Sequence, residues 1–151
     1  MRKSACFIPL LILCAGSGAQ CFPTFAAKLT YPAKASLEIG FSTLDLHSVF
    51  SIADGFVLRV EPGLAGGKLH AGIRYQFTFL FLPIMTWDYT LSMLYTWGDP
   101  WGDYVGKQTF LGVEAQGKIN VILFSAGVYW HVAGDQDDPE SLFSGAVGIG
   151  F

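Results

Sequence analysis

The stretch that decides the fold is Met85–Trp97, MTWDYTLSMLYTW. Every second residue gives Met85, Trp87, Tyr89, Leu91, Met93, Tyr95 and Trp97, with Thr86, Asp88, Thr90, Ser92, Leu94 and Thr96 between them. Successive side chains of a strand point to opposite faces, so this period of two makes one wholly apolar face and one mostly polar face. The run exceeds the roughly 5–6 residues of an ordinary soluble strand. It is long enough for the about 9–11 residues a tilted strand needs to cross a bilayer. Trp or Tyr stands near both ends of the apolar face, where an amphipathic ring meets a membrane–water interface.

The pattern repeats along the chain. Leu37, Ile39 and Phe41 alternate with Ser36, Glu38, Gly40 and Ser42, and Leu58, Val60 and Pro62 alternate with Arg59, Glu61 and Gly63. Leu69, Ala71, Ile73, Tyr75, Phe77 and Phe79 alternate with Lys68, His70, Gly72, Arg74, Gln76 and Thr78. Further strands are expected over Val105–Gln116, Ile119–Val132 and Leu142–Phe151. That makes seven. An even number of strands brings both termini to one side, and Leu46–Ile52, set off by Ala53-Asp54-Gly55, supplies an eighth. Six strands, with that segment and Phe56–Leu64 dropped, is the alternative.

The expected architecture is all-β: a closed antiparallel up-and-down transmembrane barrel of eight strands. Short turns are expected at Ala53–Gly55, Leu80–Pro83 and Gly117–Lys118, and external loops at Thr43–Asp45, Ala65–Gly67, Gly98–Asp103 and Gly134–Ser141. The two longest connections then fall on the external side.

Composition agrees. Of 151 residues, 52% are hydrophobic and only 14% charged, yet beyond the N-terminus no stretch is apolar for the ~20 residues a membrane helix needs. The N-terminus reads as a secretory signal: Arg2 and Lys3, an apolar run over Phe7–Ala15, then Ser17, Gly18 and Ala19. Cleavage is expected after Ala19, with Ala26 as a later option; a retained anchor is disfavoured by the short apolar run. Residues 1–19 are thus a signal peptide, 20–34 a periplasmic segment and 35–151 the barrel.

Cys6, Cys14 and Cys21 lie in or just beyond the leader, so no disulfide framework is expected. Leu13 and Gln20 precede Cys14 and Cys21, where a lipidated cysteine follows a small residue. Without the leader the chain carries seven basic and twelve acidic residues, a balance that disfavours nucleic acid as partner.

The last strand ends on Phe151, with Ile149, Val147 and Phe143 at alternate positions before it and Gly145 as the departure. This end resembles the C-terminal assembly signal of bacterial outer-membrane barrels. With the leader and the alternation, the chain is similar over roughly Ala35–Phe151 to small barrels of the outer-membrane protein A or X type. The resemblance implies residence in the bacterial outer membrane, with lipids, lipopolysaccharide and the barrel-assembly machinery as partners. It implies no particular activity, because one fold hosts many functions.

Parity sends Glu38, Arg59, Glu61, Lys68, His70, Arg74, Gln76, Asp88, Gln108, Glu114 and Gln116 to the lumen. An eight-stranded barrel is just wide enough for side chains to fill it, so these charges are expected to pair and plug it. Trp87, Tyr89, Tyr95, Trp97, Trp101 and Trp130 are the expected interface aromatics. The expected role is structural or interactive: envelope integrity, or surface contact through the external loops. Two alternatives stay open, a narrow solute channel and a lipid A-modifying enzyme of the deacylase kind.

Catalysis of that kind needs a His, a nearby Ser and an orienting acid. His47-Ser48 are adjacent and so on opposite faces, and His131 is followed by Val132 and Ala133, without the His-x-Ser spacing. His70 has Glu38, Glu61 or Asp88 within reach, and Ser92 or Ser125 only if register brings them close. The repeated Trp-Gly-Asp of Trp97–Asp99 and Trp101–Asp103 reads as turn chemistry. The acidic run Asp135, Asp137, Asp138 and Glu140 lacks the twelve-residue calcium-loop pattern. No metal or cofactor site is expected.

Overall fold

The computed structural model describes residues 20–44, 50–79, 82–102, 106–134 and 140–151. Eight strands follow one another: β1 (Gln20–Tyr31), β2 (Lys34–Leu44), β3 (Phe50–Pro62), β4 (Gly66–Phe79), β5 (Leu82–Thr96), β6 (Thr109–Ile119), β7 (Ile122–Ala133) and β8 (Ser141–Gly150). Each pairs antiparallel with its sequence neighbour, and β8 pairs with β1 to close the barrel. Closure gives every strand two neighbours, although β2 pairs with β3 in register only over Ile39–Ser42 and β1 with β8 only over Ala26–Tyr31. At the joint, Ala26–Tyr31 lies in register with Gly150–Gly145, and Phe25 and Phe151 exchange backbone hydrogen bonds of 3.1 and 2.8 Å.

Both ends of the strand run and the strand ends Leu44, Phe50, Phe79, Leu82, Ile119 and Ile122 lie at one end of the barrel, here the terminus end. The strand ends Tyr31, Lys34, Pro62, Gly66, Thr96, Thr109, Ala133 and Ser141 lie at the other, the loop end. The two longest connections therefore share one end, as the sequence predicts.

Alternation works out as an inside-out molecule. On β7, Leu123, Ser125, Gly127 and Tyr129 are buried in the lumen while Phe124, Val128 and Trp130 are exposed outside. Around the barrel the buried set is dominated by Thr, Ser, Glu, Arg, Lys and His, and the exposed set by Leu, Ile, Val and aromatic residues.

The register corrects the N-terminal side of the strand list. Gln20–Tyr31, expected as a periplasmic segment ahead of the barrel, is β1, paired to β2 from Gln20↔Leu44 to Thr30↔Lys34. Ala53-Asp54-Gly55, expected as a turn, runs through β3 opposite Gln76, Tyr75 and Arg74. The separate strand expected at Leu46–Ile52 is therefore the start of β3 from Phe50 onward; residues 46–49 lie outside the described residues. The total stays at eight because one strand is gained and two merge. Turn residues report a local preference, whereas β4 offers β3 a continuous ladder from Phe50↔Phe79 to Pro62↔Gly67.

Two smaller corrections follow. Thr43, expected in an external loop, lies in β2 at the terminus end. Gly117 and Lys118, expected as a turn, pair with Phe124 and Leu123 inside the β6–β7 ladder. The chain turns instead at residues 120–121, where Asn120 takes a φ of 53°, a left-handed conformation that Asn tolerates better than most residues.

Candidate functional site

The lumen is built by parity. Glu38 on β2, Arg59 and Glu61 on β3, Lys68, His70 and Arg74 on β4, Asp88 on β5 and Glu114 on β6 are all buried inside, as are Gln76, Gln108 and Gln116. Sequence reasoning missed Lys28, which enters from β1 and is equally buried. Its signal was present: Thr24, Lys28 and Thr30 alternate with Phe25, Leu29 and Tyr31. Lys28 brings the buried Lys and Arg set (Lys28, Arg59, Lys68, Arg74) level with the buried acids (Glu38, Glu61, Asp88, Glu114).

These groups form three connected foci. Arg74 holds Asp88 through Nε–Oδ1 at 2.7 Å and Nη2–Oδ2 at 2.8 Å, while Arg59 Nη1 donates to the same Oδ2 at 2.6 Å. Lys28 Nζ donates to Glu61 Oε2 at 2.7 Å and to Gln116 Oε1 at 2.9 Å, and pairs with Glu38 as well. Lys68 Nζ donates to Glu114 Oε2 at 2.7 Å and to Ser144 Oγ at 2.8 Å, and the Tyr129 hydroxyl donates to Glu114 Oε2 at 2.6 Å. With Thr30 and Ser36 on Glu61 Oε1, every strand from β1 to β8 contributes a group. Such a set is stabilising only when each charge is both paired and hydrogen-bonded, because several kcal/mol of desolvation per ion must be offset.

The loop end of this polar belt is closed by apolar side chains, and the terminus end is narrow. Toward the loop end Leu94, Phe110, Tyr129 and Leu142 form a buried apolar cluster inside the barrel. Above it the connections are tied together: Ala65 N donates to Ala33 O at 3.1 Å, Trp97 N to Ala65 O at 3.1 Å and Trp101 N to Pro32 O at 3.0 Å. Toward the terminus end a cavity of about 10 Å³ lies among Thr24, Thr86, Asp88 and Lys118. That volume holds a single water at most.

Glycine makes the fit possible. A Cβ on Gly40 would stand 2.4 Å from Leu58 O and 2.7 Å from Arg59 Cγ, and one on Gly112 would stand 2.1 Å from Val128 O and 2.8 Å from the Tyr129 ring.

Register does bring a serine to the lumen histidine. His70 Nδ1 lies 2.7 Å from Ser92 Oγ, and Nε2 lies 3.5 Å from Glu61 Oε2. The trio has the residue types of a hydrolytic triad, but Ser92 is 3% exposed and His70 0%, so an ester has no route to the hydroxyl. His131 pairs instead with Gln108 Oε1 at 2.7 Å and stacks edge-on against Phe110. His47 and Ser48 lie outside the described residues. A convergence the sequence did not predict is that of Glu61, His70 and Glu114, whose ligand-type atoms lie within 4.8 Å of one another.

The remaining predicted residues are on the outside. Trp130, Tyr95, Trp97 and Trp101 stand exposed toward the loop end, Tyr89 is exposed lower on β5, and Trp87 is half-buried nearer the terminus end. Trp87 meets Phe124 edge-to-face at 5.5 Å across Gly117, where a Cβ would come within 2.4 Å of the Phe124 ring. Phe143, Val147, Ile149 and Phe151 all point outward and exposed. Asp135, Asp137 and Asp138 lie outside the described residues; Glu140 is exposed. Compared with protein-family models, curated proteins and solved structures, the chain matches none.

Proposed function

We propose that this chain is an integral barrel of the bacterial outer membrane, exported by its leader, whose role is envelope integrity or surface contact. One observation carries the reading: a closed barrel with a charged, internally paired lumen exposes Phe25, Leu37, Phe56, Ile73, Leu91, Val113, Ile122 and Val147, one from each strand. In water such a surface is an aggregation liability, whereas in hydrocarbon it is the expected exterior. Lipids and lipopolysaccharide then cover that exterior, the assembly machinery engages β8, and the loop end with Trp97 and Trp101 is left to meet a surface partner. A filled lumen disfavours transport, and a buried Ser92 disfavours catalysis.

Expression in a bacterium, followed by membrane fractionation and gel migration with and without boiling, tests this. The expected result is an outer-membrane protein whose migration changes on heating. A soluble periplasmic product overturns it.

A further inference from the structure

We infer that Glu61, His70 and Glu114 form a binding site for one divalent transition-metal ion inside the barrel, with an imidazole and two carboxylates as ligands. The inference rests on the lumen alone and is independent of where the barrel resides.

Hydrogen-bond accounting fixes the imidazole. Thr90 Oγ1 donates its one hydrogen to the Glu114 carbonyl oxygen at 3.2 Å. Ser92 Oγ, 3.1 Å from Thr90 Oγ1, must therefore be the donor of that pair. Its own hydrogen being committed, Ser92 Oγ accepts from His70 Nδ1 at 2.7 Å. The neutral ring then carries a lone pair on Nε2, and that atom faces Glu61 Oε2 at 3.5 Å. Among the described residues no hydrogen bond reaches Nε2, nor Glu114 Oε1. Three electron-rich atoms converge within 4.8 Å on residues no more than 3% exposed. Lys28 and Lys68 balance Glu61 Oε2 and Glu114 Oε2, which leaves His70 Nε2 and Glu114 Oε1 as the buried acceptors that a further cation would satisfy.

The surroundings suit a metal better than a bare proton. Each ligand has a fixed outer partner: Ser92 on His70 Nδ1, Thr30 and Ser36 on Glu61 Oε1 at 2.8 and 2.7 Å, and Tyr129 and Lys68 on Glu114 Oε2 at 2.6 and 2.7 Å. Outer hydrogen bonds of this sort orient metal ligands and fix the histidine tautomer. Donors bonded to one ion at about 2.0–2.2 Å stand at most ~4.4 Å apart, so a small glutamate rotation closes the set. Lys28 shares Glu61 Oε2 and has Glu38 and Gln116 as other partners to take it up. Mixed nitrogen and oxygen donors without thiolate point to zinc or manganese, not to calcium or copper(I).

The untagged chain refolded into detergent micelles with Zn²⁺, then desalted, tests this by metal counting on protein that migrates as folded. About one zinc per chain is expected in the wild type and in His131→Ala. His70→Ala and Glu114→Gln lose it, and Ser92→Ala weakens retention by about 10–100-fold. Folded wild type without zinc, or zinc retained by His70→Ala, overturns the site. Should the variants not fold, wild type refolded with Co²⁺ decides: zinc-displaceable visible absorption supports the site, and its absence overturns it.

Discussion

Arg74 and Asp88 face each other across β4 and β5 as register partners and bind through two parallel hydrogen bonds of 2.7 and 2.8 Å, with Arg59 donating to the same carboxylate at 2.6 Å. One carboxylate thus holds two buried guanidinium groups from two strands. If it goes, both cations lose their shortest contacts, leaving Arg59 with Glu38 at 3.7 Å and Arg74 with Ser42 Oγ at 3.1 Å.

Asp88→Ala is expected to destabilise by about 3–5 kcal/mol, the cost of leaving buried charge unpaired. Urea unfolding from lipid vesicles measures it. Replacing Lys34, whose partner Asp99 is 97% exposed, is expected to change stability by under about 1 kcal/mol.

The outward face makes a depth-dependent prediction. Leu91 in the middle reach of β5 is 72% exposed, and Leu64 beside the loop end is 73% exposed. In a bilayer Leu91→Arg is expected to cost about 2–4 kcal/mol and Leu64→Arg about 0–1. Equal costs in vesicles sink the membrane reading, since exposure alone does not distinguish the two sites.

Packing at glycine predicts a contrast between neighbours of the same kind. Gly112→Ala drives a methyl to 2.1 Å from the Val128 carbonyl oxygen, while at Gly145 the nearest atom stands 3.7 Å away. The first is expected to lose about 1–3 kcal/mol. The second is expected to fold as wild type, and heat-modifiable migration with vesicle unfolding compares them.

Plugging predicts silence in planar bilayers. The wild type is expected to show no unitary conductance, because the apolar cluster of Leu94, Phe110, Tyr129 and Leu142 closes the lumen above the charges. Steps in current that Arg74→Ala enlarges contradict a sealed interior.

Period two made the β4, β5, β7 and β8 patterns and the inward placement of Glu38, Arg59, Glu61, Lys68, His70, Arg74, Asp88 and Glu114 readable, because alternation is a property of one strand alone. β1 is hidden in the sequence although Phe25, Ala27, Leu29 and Tyr31 alternate in it, because Ala26 also reads as a cleavage residue and assigns the segment to the stretch ahead of the barrel. Ala53-Asp54-Gly55 misled for the opposite reason: its turn chemistry is local, and the β4 ladder overrides it.

By itself, then, the sequence determined which side of the sheet each residue occupies, and so a barrel with an apolar exterior and a charged interior. Only the tertiary structure decided the partners. Lys28 meets Gln116 and Lys68 meets Ser144 at separations of 88 and 76 residues, across a lumen whose width and strand stagger no single strand encodes. The convergence of His70 with Ser92, Glu61 and Glu114 arises in the same way, from closure of the ring.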